Sequence, residues 1–396
     1  MEKIRVENLY KIFGNTPKKI IPMLEQGATK DEIMEKTKHG VGVNNASFSV
    51  DEGEIVVVMG LSGSGKSTLV RCINRLIDPT GGKIFIDGED ITTLSKSKLR
   101  KVRLEKLGMV FQNFALFPHR TVLKNTEYGL EIADTDSATR KQKAMEALEL
   151  VGLGGWEDSY PDQLSGGMRQ RVGLARALAL DPDILLMDEA FSALDPLIRR
   201  DMQDELINLQ ERMHKTIVFI SHDLDEALKL GDRIVLMKDG AIVQVGTPEE
   251  ILTEPATDYV RRFVEDVDIT KVLTAESVMK KTEAVAYAKT DGPRASLRKM
   301  RKNNISSLFV LNEQHKLIGV ISASDCAKLV EEGGKDIKAI MRTEYMSVPL
   351  DAPAQELFNI MQDRITPLPV IDENEKLKGV VVRGALIGAL AERGGN

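Results

Sequence analysis

Three short apolar runs punctuate the first two-thirds of the chain: "IVVVM" at 55–59, "ILLM" at 184–187 and "TIVFI" at 216–220. Each is too short and too β-branched to be a buried helix, and its lack of alternation predicts a strand covered on both faces. Over roughly residues 1–265 such runs alternate with longer amphipathic stretches, which predicts an α/β domain built on a largely parallel sheet. Each run gives way at once to polar residues, at the strand ends where open α/β sheets bind ligands. Between Phe13 and Val43 the pattern is interrupted by "TKDEIMEKTKHG". Thr29 and Glu32 have capping-box spacing and Gly40 reads as a stop, so a short helix is expected in a surface insertion whose role the sequence leaves open.

Beyond "RRFVEDVDITKVLTAE" the pattern changes and repeats. "ISSLFVLNEQHKLIGVIS" from Ile305 returns as "ITPLPVIDENEKLKGVVV" from Ile365, matching Val310 with Val370, Leu317 with Leu377 and Gly319 with Gly379. Two copies are too few for a solenoid, so a pair of small α/β modules packed on each other is expected. The predicted division is 1–265 for the first domain, 266–276 for a linker, and 277–333 and 334–396 for the two modules.

Composition narrows the setting. The chain has 396 residues, of which 42% are hydrophobic and 29% charged, as in ordinary globular domains. Apolar runs stop well short of the ~20 residues that a membrane-spanning helix needs. The start, "MEKIRVENLY", has no secretory leader pattern, and cytoplasmic residence is expected. Two distant cysteines, Cys72 and Cys326, offer neither a disulfide framework nor a metal site. A net charge of −6 argues against a chain-wide nucleic-acid footprint.

The chemistry concentrates in three motifs. "GLSGSGKST" (Gly60, Leu61, Ser62, Gly63, Ser64, Gly65, Lys66, Ser67, Thr68) follows the first apolar run and satisfies the phosphate-loop pattern. Its backbone N–H groups can turn toward phosphates, Lys66 adds a full charge, and the Ser67 hydroxyl can ligate Mg²⁺. In "ILLMDEAFSALD", Asp188 ends a strand where it could hold Mg²⁺, and the adjacent Glu189 could take a proton from an attacking water. "LSGGMRQR" places Ser165, Gly166 and Gly167 at a helix start, a second anion-binding terminus. One nucleotide does not need two cradles from one chain, so the second makes sense if it serves a partner chain's nucleotide.

These motifs, with "SALD" and the histidine of "FISHD", resemble in order the nucleotide-binding domain of ATP-binding cassette (ABC) transporters. The resemblance implies a P-loop NTPase with a RecA-like core, an antiparallel β subdomain and a helical subdomain. By position it implies that Glu189 is the general base, that His222 contacts the γ-phosphate, and that Gln112 of "VFQNFALFPH" senses Mg²⁺ and the attacking water. It further implies that Asp195 lies at the seam of a homodimer and that Phe13 of "LYKIFG" stacks on adenine, with Tyr10 a nearby alternative. Met168 stands where many relatives have glutamine. Phe111, Phe114, Leu116 and Phe117 read either as helical-subdomain core or as a docking surface for a membrane subunit.

A single cassette without spans or a long heptad insertion is unlike fused exporters, DNA-repair relatives and translation factors, and leaves the separate ATPase of an importer. The C-terminal repeats resemble paired cystathionine-β-synthase (CBS) domains. The whole chain resembles the ATPase of osmoregulatory glycine betaine/proline importers, which implies a transmembrane permease with a substrate-binding domain and a peripheral place on the cytoplasmic face of the bacterial inner membrane. It also implies adenine nucleotides as CBS ligands, cyclic di-AMP among them. Ser322 and Asp325 of "GVISASD" stand at the ribose-holding positions, whereas the second copy has Val382 and Ala385 there. A purely structural pair is the other reading. The basic run "RKMRKNN" from Arg298 reads as a solvated helix face or as a contact for anionic lipid. A soluble nucleotide-sensing regulator without transport is the rival to the importer.

Overall fold

The computed structural model describes residues 1–265, 267, 272–282, 284–362 and 366–386. Ile365, residues 266 and 268–271 of the predicted linker and the end of the second repeat from 387 lie outside the described residues. The chain divides into two units, one ending at Val267 and the other following it.

The three apolar runs are the central strands of the first unit. β3 (Ile55–Met59), β7 (Ile184–Asp188) and β8 (Thr216–Ile220) are buried along their whole length. With β6 (Leu107–Phe111), β9 (Arg233–Lys238) and β10 (Ala241–Gly246) they form a six-stranded sheet in the order β10-β9-β3-β8-β7-β6. All neighbours are parallel except β10, which pairs antiparallel with β9. Burial on both faces explains the continuous apolar runs.

A second sheet is antiparallel, in the order β2-β1-β4-β5, from β1 (Glu2–Phe13), β2 (Gly40–Asp51), β4 (Gly81–Ile86) and β5 (Glu89–Asp90). Its inward residues Ile4, Val6, Val43, Val50 and Ile84 share one core with Val56 and Val58 of β3 and with Leu69 and Ile73 of the helix Lys66–Ile73. Helices between Val122 and Leu178 make the third part of this unit.

The expected helix in the insertion is Lys30–Thr37, and its capping box forms: Glu32 N–H donates to Thr29 Oγ1 at 3.2 Å while Thr29 N–H donates to Glu32 Oε2 at 2.9 Å. Its stop is not Gly40, which begins β2. Lys38 takes the left-handed conformation at φ 59° and turns the chain five residues after the helix's buried residue, Ile33.

In the second unit each repeat supplies a three-stranded sheet: β11 (Val285–Tyr287), β12 (Ser307–Leu311) and β13 (Leu317–Ser322), then β14 (Val348–Pro349), β15 (Leu368–Ile371) and β16 (Leu377–Val381). The modules meet where Leu317 N–H donates to Glu375 O at 3.0 Å. They also exchange short segments. Leu273, Ala275 and Val278, ahead of the first repeat, are buried in the core of the second module with Leu357 and Val370. Ile337 and Met341, ahead of the second repeat, pack into the core of the first with Val310 and Ile321. The matched glycines receive these segments: Lys280 and Val380 exchange two backbone hydrogen bonds beside Gly379, as Arg342 and Val320 do beside Gly319.

The basic helix Pro293–Lys302 is only partly a free cationic face. Lys299 turns inward, donating to Asp291 Oδ2 at 2.7 Å and Val285 O at 3.0 Å, which removes it from the lipid-facing set. Arg298, Arg301 and Lys302 remain exposed.

A Cβ on Gly319 would stand 2.4 Å from Met341 Cγ and 2.7 Å from Arg342 O. Gly319→Ala therefore overpacks the exchanged segment and is expected to cost roughly 1–3 kcal/mol. Urea unfolding of the full chain without added ligand should show the loss as a transition moved to lower urea; an unchanged profile would contradict the packing role.

Candidate nucleotide site

Strand register assembles the site. Phe111 pairs with Asp188, Asp188 with Ile220, and Ile220 with Val58, so four parallel strands end on nearly one line. One or two residues past that line lie Gln112, Glu189, His222 and the loop beginning at Gly60.

The loop from Gly60 turns into the helix Lys66–Ile73 through Gly65, at φ 103°, where a Cβ would lie 2.2 Å from Gly42 O. Only glycine fits there. Gly240 N–H donates to Ser64 O at 2.9 Å, tying the loop to the β9–β10 turn. The Ser64 hydroxyl is buried without a hydrogen-bond partner among the described residues. Lys66 donates to Gly60 O at 2.7 Å and Leu61 O at 3.2 Å. Burial lowers its pKa, and the nearby charges of Glu189 and Asp188 pull it back up.

Asp188 is buried and accepts from Ser67 Oγ at 2.8 Å and from Arg71 Nη2 at 3.0 Å. Two hard oxygen donors converging at the end of the phosphate loop suit Mg²⁺, with phosphates and water completing the shell. Glu189 takes a left-handed backbone at φ 48°, a strained conformation for a non-glycine residue. That turn aims its carboxylate back across the strand ends. Gln112 Nε2 donates to Glu189 Oε2 at 3.1 Å and to Ser192 Oγ at 3.1 Å, and Ser192 Oγ donates to Glu189 O at 2.9 Å. His222 Nδ1 is 3.5 Å from Glu189 Oε2.

A cleft runs beside this cluster, lined at one end by Ser62, Gly63, Gly65, Lys66, Ser67, Thr68 and Glu189 and at the other by Phe13, Gly40, Val41 and Gly42. Phe13 is 44% exposed while Tyr10 is buried, so Phe13 is the ring available to a base. The structure thus brings together all the residues expected around the phosphates. Ser165, Gly166, Gly167 and Asp195 are not among those lining the cleft. Ser165 Oγ accepts from Met168 N–H at 3.3 Å and caps the helix Gly166–Leu178; Asp195 Oδ1 accepts from Ile198 N–H at 3.1 Å and caps the helix Pro196–Met213. The two helices pack closely at Gly167 and Ile198.

The aromatic stretch after Gln112 divides. Phe117 packs edge-on against Tyr128 at 4.6 Å and belongs to the helical part. Phe114 and Ala115 both have left-handed backbones, held by Arg176, whose guanidinium donates to both carbonyls. Arg169 stacks over the Phe114 ring at 5.2 Å.

Sequence reasoning missed the residues that hold this cluster in place, because they come from positions without a motif. Arg199 reaches Ser192 O, Leu194 O and Asp223, tying the turn after Glu189 to the turn after His222. Beneath His222, Glu226 accepts from Ser221 Oγ at 2.5 Å and from Gln203 Nε2 at 3.0 Å. Lys30, from the insertion, also lines the cleft.

The ABC transporter family model matches residues 43–192, and the CBS domain model matches 275–332 and 336–392. The glycine betaine transport ATP-binding protein OpuAA of Bacillus subtilis is 60% identical over 98% of this chain and 92% of its own length. The chain belongs to the ABC transport ATP-binding proteins. Within this family, the glycine betaine/carnitine transport ATP-binding protein GbuA of Listeria monocytogenes is 53% identical, covering 99% of this chain and 98% of its own. The glycine betaine/proline betaine protein ProV of Escherichia coli is 49% identical, covering 100% and 99%. Among solved structures, the dimeric bacterial ABC transporter cassette MJ0796 aligns with TM-score 0.53 and 33% identity, over 62% of this chain and 98% of that one. The first unit is therefore an ABC ATPase, and its ATP hydrolysis is coupled to transport. No described helix is long and apolar enough to cross a membrane.

In the second unit Ser322 Oγ caps the helix Ala323–Glu331, accepting from Asp325 N–H at 3.1 Å and donating to Asp325 Oδ2 at 2.7 Å. Arg342, from the segment ahead of the other repeat, meets the same carboxylate at 3.0 Å. The Ser322 hydrogen bond first, and then Arg342, hold the Asp325 carboxyl below its usual range.

Burial pushes the Glu226 carboxyl up, against the lowering effect of its bonds from Ser221 and Gln203. A raised pKa means that the folded state holds the proton more tightly, so this contribution is present below the ordinary glutamate value and is lost as pH rises through the raised one. Glu226→Gln keeps the group neutral throughout. Its melting temperature relative to the parent should therefore be higher at about pH 8 than at about pH 4.5; a difference that does not change with pH would contradict the assignment.

Proposed function

We propose that this chain powers import of glycine betaine- and proline betaine-type solutes through a separate transmembrane permease, acting as a homodimer that closes around two ATP molecules. The convergence of Gln112, Glu189 and His222 beside the phosphate loop carries the ATPase part. Near-full-length identity to OpuAA, GbuA and ProV, all named for glycine betaine transport, carries the solute.

ATP lies with its base against Phe13 and its phosphates over Gly63–Thr68. Ser67 and Asp188 would hold Mg²⁺, which would supply charge neutralisation to the bound phosphates. Gln112 and His222 orient the Glu189 carboxylate, which takes the proton from the attacking water; His222 also faces the γ-phosphate. Ser165, Gly166, Gly167 and Asp195 serve the partner's nucleotide. Their separation from the cleft and the dimeric MJ0796 cassettes, one titled as bound to ADP and Pi, support this arrangement. Hydrolysis reopens the dimer and resets the permease, which carries the substrate-binding domain, at the cytoplasmic face of the inner membrane.

For the second unit we infer an adenine-nucleotide ligand, cyclic di-AMP being the leading case, at a single ribose site formed by Ser322 and Asp325. The asymmetry with Val382 and Ala385 supports one site rather than two.

Glu189→Gln should bind ATP, lose turnover by at least ~100-fold and accumulate as a closed dimer on size exclusion. Turnover near the parent rate would remove Glu189 as the base. Affinity capture of the tagged chain from native membranes should bring down a polytopic permease with a betaine-binding domain, and the captured complex should hydrolyse ATP faster with betaine; a different binding protein would change the solute, and capture of no membrane protein would favour the soluble sensor. Titrating the full chain with cyclic di-AMP should give heat that Asp325→Ala abolishes, and no heat in the parent would leave the repeats a structural pair.

A further inference from the structure

We propose that Lys30 is a second nucleotide-binding cation, carried to the phosphate loop by the inserted helix and acting on the polyphosphate of ATP. This inference rests on the ATP site described above. It gives the insertion a function.

The insertion is a folded element. Ile33, fully buried, packs with Tyr10, Ile12, Ile20, Leu24 and Val41 in a core of its own, and the reciprocal Thr29–Glu32 cap fixes where the helix starts. Lys30 is its first residue, so its reach toward the loop is set by packing. Its ammonium donates to Gly63 O at 2.9 Å and lines the cleft together with Phe13, Lys66 and Glu189.

Two features make this more than a strut. A cation at the first turn of a helix opposes the positive end of the helix dipole, yet among the described residues Lys30 has no ion pair to offset it. Its charge is directed at the cleft. Lys66 is satisfied in the same way, by the loop carbonyls of Gly60 and Leu61. Both ammonium groups thus rest on neutral acceptors that a phosphate oxygen, which is charged, outcompetes. Arriving phosphate draws Lys30 from Gly63 O as it draws Lys66 from Gly60 O, and frees the Gly63 carbonyl at the loop's tip.

The test uses the full-length chain and titration calorimetry with a non-hydrolysable ATP analogue and Mg²⁺ at several salt concentrations. Lys30→Gln should raise Kd about fivefold and flatten its dependence on salt, while Lys30→Arg stays within about twofold of the parent. Both variants should melt like the parent without nucleotide. Unchanged affinity in Lys30→Gln would overturn the inference, as would weaker binding with the parental salt slope, or a loss shared by Lys30→Arg that follows a fall in melting temperature. Absence of binding by the parent would remove the ATP site itself, a failure distinct from an indifferent Lys30→Gln.

Discussion

Backbone hydrogen bonds between parallel strands do the assembling here. Because Phe111, Asp188 and Ile220 lie side by side on adjacent strands, the residues just beyond them are delivered to the same few ångströms of space, where Gln112 and His222 meet the Glu189 carboxylate. The left-handed turn at Glu189 finishes the task, pointing one carboxylate across the ends of its neighbours. A register slip of one residue in β7 would turn Asp188 away from Ser67 and disperse the cluster, since alternate residues of a strand face opposite sides.

Charge is arranged around this frame so that few groups are held by one partner alone. Asp188 sits between Ser67 and Arg71, and Glu189 between Gln112 and His222, while Arg199 joins the turns from which Ser192 and Asp223 project. A carboxylate already bonded on both sides is oriented before substrate arrives, and orientation is a large part of what a phosphoryl-transfer site supplies. The buried Glu226 beneath His222 extends the same network into the interior, where its charged form is disfavoured.

What was legible in the sequence was what is local. A phosphate loop must be contiguous, as must an Asp-Glu pair at a strand end, and the continuous apolar runs announced the strands that carry them. The structure adds what comes from elsewhere in the chain. Lys30 belongs to a helix read as a surface insertion, and nothing in "TKDEIMEKTKHG" says which way its start points. Gly40 looked like a helix stop because glycine commonly is one, yet Lys38 closes the helix and Gly40 starts a strand lining the cleft. Lys299 looked like one of four equivalent cations until Asp291, eight residues earlier in the chain, was found to hold it. Ser322 and Asp325 were visible as a pair, but Arg342, which completes their hydrogen bonding, comes from the segment ahead of the other repeat.

That same exchange of segments bears on how the chain is made. Leu273 and Ala275 leave the ribosome early, yet the residues that bury them, Ala354 and Leu357 among others, are synthesised only after the whole first repeat. The first repeat in turn waits for Ile337 and Met341. During translation, therefore, the ATPase unit can close its own core while the repeats behind it remain an open apolar chain, and they condense together once the second copy emerges. Contacts of such long sequence separation are slow to form. The two repeats therefore fold as one unit, and a chain cut between them leaves both cores without a wall.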